Sequence, residues 1–214
     1  VLDEYMAPRF LGMFFGAFSA ESAQRGMSRL QGRLGETIAI PELTLFDDPH
    51  RQGANRSCFL DAEGFLTKPL SLIEEGVFRN FLYHVESANK EKKSSTGHAV
   101  RGYSGGISTR SHNLVWPTGE LNLEQLCAQN SKCLLVTQLE GQAGCNPVSG
   151  DISIGVQGFL IENGRRIQPV DSITLAGNFF DVLLNIRGSG NTYQPELTHS
   201  FIPALLIEGL TVSG

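Results

Sequence analysis

The sequence is short of charge. It holds 17 Lys and Arg against 22 Asp and Glu, so charged residues make up 18% of 214 and the formal charge is −5; an average globular domain carries roughly 25%. Binding to a nucleic-acid backbone needs a dense basic face. The basic clusters, Lys90 with Lys92 and Lys93, and Arg165 with Arg166, are too short to form one. Long apolar runs are also missing: the longest window, residues 10–18, carries Gly12 and Gly16 and falls well below the ~18 residues of a membrane span. The four cysteines, Cys58, Cys127, Cys133 and Cys145, have no CxxC spacing, which argues against a disulfide framework and for thiols in a reducing cytoplasm.

Several catalytic patterns are absent as well. None of the five histidines is followed by Glu. The protease helix that sets two imidazoles on one ion with a carboxylate beside the first therefore cannot form. There is no G-x-S-x-G elbow, no P-loop and no G-x-G-x-x-G after a strand.

What remains is 41% apolar residues and 24 glycines, enough for a core in a turn-rich chain. Apolar residues at 10, 11, 14, 15 and 18 predict one helix of about three turns, followed by an exposed connector over 19–35. Strand patterns lie at 37–40, 43–46, 57–60 and 65–73, with Glu75-Gly76 turning into 77–84. Asp47, Asp48 and Pro49 form a breaker cluster. Residues 87–113 read as a long Gly-rich loop, a type that is usually functional. Asn122 and Gln125 predict a capping box for a helix over 122–129. Strands follow at 133–138 and 153–162, with a turn region at 141–150 between them. Asn163-Gly164 predicts a hairpin into 166–170. Asn178 opens a helix closed by Gly188, and a last strand lies at 204–207. The count is nine or ten strands and three helices with hairpins dominant, so the fold class is α+β and mostly antiparallel.

Candidate chemistry is thin. His84, His98 and His112 lie 14 residues apart in strand and loop context, compatible with a composite site or with isolated histidines. Asp47 and Asp48 point to opposite faces of a strand, which suits a turn better than shared acid/base work. Cys127 or Cys145 as a nucleophile needs a neighbouring His in space. Arg101 and Arg110 can hold a carboxylate or stay solvated.

Taken in order, several phrases become specific. They are Asp47-Asp48-Pro49; Ser95-Thr96-Gly97-His98-Ala99-Val100-Arg101; Asn146-Pro147-Val148-Ser149-Gly150-Asp151-Ile152-Ser153; Leu175-Ala176-Gly177-Asn178; and Leu205-Leu206-Ile207-Glu208-Gly209-Leu210. In this order the chain resembles the C-terminal domain of the TldD/PmbA family, the modulators of DNA gyrase. His98 stands where the family pattern leads one to expect Asn, and Ser149 where Thr is commoner.

The resemblance implies two homologous subunits, one holding zinc on a His-Glu-x-x-x-His helix with a later Cys, the other without those ligands. The corresponding stretch here, residues 11–20, has no His, Glu or Cys, and residues 188–202 have no Cys. The chain is therefore similar to the PmbA/TldE side, for which no metal, no cofactor and no catalytic residue are expected. The resemblance further implies that residues 1–214 are a C-terminal domain preceded by an N-terminal one. It implies a cytoplasmic peptide-binding or scaffold role in proteolysis, with a zinc-bearing homologue or a second copy as partner. A stand-alone protein acting on gyrase through protein contacts is the alternative, and a hydrolase site built from His98, His112 and Cys145 a third. Thr96, His98, Arg101, Asn146, Asp151 and Ser153 are the candidates for peptide or partner contact.

Overall fold

The first elements are short because their apolar stripe is cut by glycine. The computed structural model, which describes residues 1–141 and 143–214, places α1 at Met6–Gly12, a 3-10 turn at Phe15–Phe18 and α2 at Ala20–Gln24. The single helix expected over 10–18 is thus two pieces: Gly in a helix costs about 1 kcal/mol, α1 stops at Gly12, and Gly16 lies within the 3-10 turn. The helix also starts earlier, because Asp3 Oδ1 accepts the free N–H groups of Tyr5 and Met6 at 3.0 and 2.8 Å. The stripe still faces inward: Phe10, Leu11, Phe14 and Phe18 are buried, and Phe14 stacks on Phe179 at 4.7 Å. The stretch after it is no exposed connector. Ser19 caps α2, Ala20, Ala23 and Leu30 are buried, and Ser28 Oγ donates to Ala17 O at 2.7 Å.

The next strands are β1 at Leu45–Asp47, β2 at Leu70–Glu74 and β3 at Val77–Phe78. The turn between β2 and β3 puts Glu75 at φ 49° and Gly76 at φ 77°, as a primed hairpin turn requires. Residues 37–40 and 57–60 are not strands; each contributes one isolated bridge, Thr37 with Val77 and Leu60 with Leu66. The loop expected over 87–113 is also structured. It holds part of α3 (Val85–Lys90) and a hairpin of β4 (Ala99–Arg101) and β5 (Ile107–Thr109), and leads into β6 at Leu114–Val115.

The remaining elements are α4 (Leu123–Cys127), β7 (Lys132–Glu140), β8 (Asp151–Glu162), β9 (Arg165–Asn178), α5 (Phe179–Leu184), β10 (Ile186–Ser189), β11 (Ser200–Phe201), β12 (Leu205–Ile207) and β13 (Thr211–Ser213). Of the turn expected at 141–150, Gln142 lies outside the described residues. Helix α5 ends before Asn185, and Gly188 sits inside β10. Among the described residues this makes thirteen strands and five α-helices, an α+β fold richer in short elements than its periodicity indicates.

The sheets run β11-β6-β1-β2-β3, β13-β9-β8-β7, β10-β12 and β4-β5, and the pairs are antiparallel except β11 with β6. One main core lies between the long sheet, the N-terminal helices and the five-stranded sheet; it contains Phe10, Phe18, Phe78, Ile154, Val156 and Phe179. On β8, Ile152, Ile154 and Val156 are buried while their neighbours face outward, the period of a strand with one face on a core.

Candidate functional site

The β4–β5 hairpin brings together residues that are far apart in sequence. Ala99 pairs with Thr109, and Arg110 N donates to His98 O at 3.1 Å. His98 and His112 therefore flank the open end of the hairpin, with ring centroids 5.0 Å apart. Strand β1 delivers Asp47 to the same point. Its Oδ2 accepts from His98 Nε2 at 2.8 Å and from the His112 backbone N–H at 3.0 Å, while its Oδ1 is buried without a partner. Asp47 and His98 are both 0% exposed, so desolvation is offset only by this bonding.

The partners fix most of the protons. A carbonyl only accepts, so His112 Nε2–H donates to Gly97 O (2.8 Å), leaving Nδ1 facing Cys58 Sγ at 3.4 Å. Burial pushes His112 below the ordinary histidine value. Burial, then Asp47 and Asp61, pushes the Cys58 thiol up. Cys58 is thus a protonated thiol donating to a neutral imidazole, the opposite of an activated nucleophile. On the other ring, Thr96 Oγ1 takes the Tyr83 N–H at 2.8 Å. Its single proton is shared between Tyr83 O at 3.1 Å and His98 Nδ1 at 2.8 Å.

Of the sequence candidates, Thr96 and His98 belong to this network. Arg101 is exposed at the end of β4 and lines a cavity of about 380 Å³ with Arg56, Cys58, Asp61, Arg110 and His112. Asn146 and Asp151 belong elsewhere. Asn146 Oδ1 accepts Val148 N and Ser149 N, and Asp151 accepts Ser149 Oγ at 2.6 Å and Asn178 Nδ2 at 3.1 Å. Those two bonds, with Arg29, hold the Asp151 carboxyl below its usual range. Ser153 faces outward on β8. Among the described residues no hydrogen bond joins this second group to the first. Cys145 does not join the histidines; it packs against the main core, and Cys58 stands in its place. His84 also departs, forming a capping box with Ser87 at the start of α3 and bonding Thr109 Oγ1 at 2.8 Å.

A second cavity, of about 270 Å³, lies against α1 and the 3-10 turn, where Gly12, Phe15 and Gly16 form one wall and Arg56, Arg110 and His199 another. This is where the resemblance would set the zinc helix. The donor set does not fit a divalent cation: His199 is the one side chain of ligand type lining it, and two guanidiniums stand beside it. Asp47, His98 and His112 do offer ligand atoms within 4.8 Å of one another. Apart from Asp47 Oδ1, however, those atoms are engaged in the bonds above, so this trio reads as a brace between β1 and the hairpin.

Sequence reasoning missed Asp47 as the partner of His98 and missed Cys58, Arg56, His199 and Ser200 as residues lining these cavities. The hairpin register sets only His98 and Arg110, just outside 99–109, face to face; no local signal marks the other residues.

Comparison with known proteins agrees with this fold. The model of the PmbA/TldA metallopeptidase C-terminal domain matches residues 1–214. The chain is 36% identical to metalloprotease PmbA of Escherichia coli O157:H7 over 189 residues, covering 88% of the chain and 40% of that protein. It is 36% identical to the Haemophilus influenzae PmbA homologue over 210 residues, covering 98% and 44%. Among solved structures, one from Thermotoga maritima, named for modulation of a DNA gyrase, superposes with TM-score 0.90 at 33% identity, covering 99% of the chain and 48% of that one. TldE of Thermococcus kodakarensis gives 0.83 at 29%, covering 95% and 48%. The chain spans less than half the length of these relatives. A match along all 214 residues, with the same fold in solved relatives, settles its kinship: the chain belongs to the PmbA/TldD metallopeptidase family.

Proposed function

We propose that this chain is the non-catalytic, peptide-binding or scaffolding part of a cytoplasmic TldD/TldE-type metalloprotease, working beside a zinc-bearing homologue or a second copy. The observation that carries this reading is the cavity beside α1. Its wall is Gly12, Phe15 and Gly16, and its polar side is cationic, so it receives a ligand without offering a metal its donors. Exposed apolar surface supports the pairing: Phe59, Leu60, Phe65 and Leu66 are 76%, 54%, 43% and 70% exposed on one hairpin, a patch of the kind that marks contact surfaces. Peptide binding by strand addition has as templates the edge strand β13 and the part of β7 beyond Val136, where residues 1–2 no longer pair with it. No helix among the described residues is long and apolar enough to cross a membrane. Free thiols at all four cysteines suit the reducing compartment of the cytoplasmic reading.

The test is metal content and reconstitution. Purified protein is expected to carry no stoichiometric zinc and no peptidase activity, with activity arising when a zinc-bearing homologue is added. Stoichiometric zinc in the isolated protein overturns the reading. A second reading, modulation of gyrase through protein contacts, draws on the name of the T. maritima neighbour. It requires gyrase capture with no metalloprotease homologue present.

A further inference from the structure

We infer that the cavity between α1, the 3-10 turn and the residues around β5 and β11 binds the carboxylate of a peptide through Arg56, Arg110 and His199. Charge is the first argument. Arg25, Arg33, Arg79 and Arg187 each pair with a glutamate. Among the described residues, the side chains of Arg56 and Arg110 make neither an ion pair nor a hydrogen bond. The buried acid Asp47 is already shared between His98 and the His112 backbone, and Asp61 lies on the neighbouring cavity, where it accepts backbone N–H groups. His199 lies in the same field: burial, then Arg56, then Arg110 push it below the ordinary histidine value. Burial, then Arg110, likewise push Arg56 down, against an opposing pull from Asp47. A half-buried guanidinium (Arg56), an exposed one (Arg110) and a histidine therefore line one cavity that has no acid among its lining residues, and a bound anion supplies the balance.

The second argument is independent of charge. Ser200 lines the same cavity, is 7% exposed, and its Oγ is buried with no hydrogen-bond partner. An unmade buried bond costs about 1–3 kcal/mol, and turning this hydroxyl toward the cavity, where a carboxylate oxygen accepts from it, removes that cost. The third argument is size and shape. About 270 Å³ falls just below the ~300 Å³ lower limit for small-molecule pockets, room for one residue's end. Arg forks match planar carboxylates, while Gly12 and Gly16 leave open space where a Cβ would stand. The inference rests on the peptide-binding reading for the identity of the ligand, but not for the anion site itself.

Titration calorimetry of the purified protein separates the two claims, with four probes: an acetylated alanine tripeptide as free acid, its C-terminal amide, an amide carrying an internal Glu, and N-acetylalanine. The free acid is expected to bind about tenfold more tightly than the plain amide. That preference should vanish in Arg110→Gln and Arg56→Gln and be only partly kept in Arg110→Lys, with unchanged melting temperatures. Tight binding of the Glu amide assigns the carboxylate to a side chain instead of the terminus and still supports the site. Arginine-dependent binding of N-acetylalanine without any peptide supports the anion site and removes the peptide reading. Equal affinity for acid and plain amide, with no gain from the internal Glu, overturns the inference while leaving peptide binding intact. Arginine-independent binding, stronger competition by inorganic phosphate than by carboxylate, or no binding of any probe also overturns it.

Discussion

Burial disfavours the charged form of His112 and outweighs the opposing pull of its bond to Gly97 O and of Asp47, while its other ring nitrogen meets the Cys58 thiol. The consequence is a pH dependence with a definite sign. Because the folded-state value lies below the ordinary 6.5, the unfolded chain binds more protons in the window just under 6.5. The stabilisation is fully present above that value and is lost as pH falls through the window. His199 acts with the same sign. The melting temperature should therefore fall as pH is lowered from 7 toward 5, and His112→Gln should flatten that slope when the two proteins are melted side by side. An equal slope in both proteins removes His112 as the cause. The network also shows where reading the sequence stops. Thr96 and His98 stood out through their motif, but Asp47 read as a strand end because nothing local announces that β1 will carry it 51 positions away to His98. Cys58 was passed over in favour of Cys145 for the same reason: which thiol meets an imidazole is decided by hairpin packing.

Elements with local causes were legible. The Asn122–Gln125 capping box forms with both bonds, at 2.9 and 3.0 Å; Asn163 and Gly164 take positive φ; Asn178 caps α5 by accepting from Phe180 N. Elements with distant causes were not. Helix α2 depends on burial of Ala20 and Ala23, and α3 begins at a histidine, an unusual cap completed by Ser87. The β4–β5 hairpin is held by Asp61, whose Oδ2 accepts Ala99 N at 3.1 Å. The long sheet carries a constraint no pattern reveals. At Gly158 the β7–β8 and β8–β9 registers both shift, and a Cβ there would sit 1.9 Å from Leu135 O. A glycine at such a bulge permits close backbone approach. Gly158→Ala must push β7 and β8 apart, an overpacking cost of about 1–3 kcal/mol or more, readable as a lowered urea midpoint. Gly12→Ala, with open space at its Cβ, is the matched control and should leave the midpoint in place or raise it.

On the scale of the whole molecule, the low charge fraction acquires a location. Phe59, Leu60, Phe65 and Leu66 give one side of the molecule an apolar projection, and Tyr103 adds a fully exposed ring. Replacing Phe59 and Leu66 together by Ser should leave stability within about 1 kcal/mol, since exposed positions contribute little. It should weaken association with a homologous subunit or a second copy, measured by sedimentation velocity. Unchanged association places the contact elsewhere. The five-stranded sheet has a separate consequence, in time. Its strand order sets β11 beside β6, and β6 beside β1, so residues 114–115, paired on one side with 46–47, wait for residues 200–201 to close their other edge. A ribosome releases the chain in the opposite spirit, one end first. Throughout synthesis of the 84 residues between β6 and β11, the β6 edge of that sheet stands open and able to accept any passing strand. The nascent protein is therefore most exposed to mispairing late in its synthesis, after most of its core residues have been made.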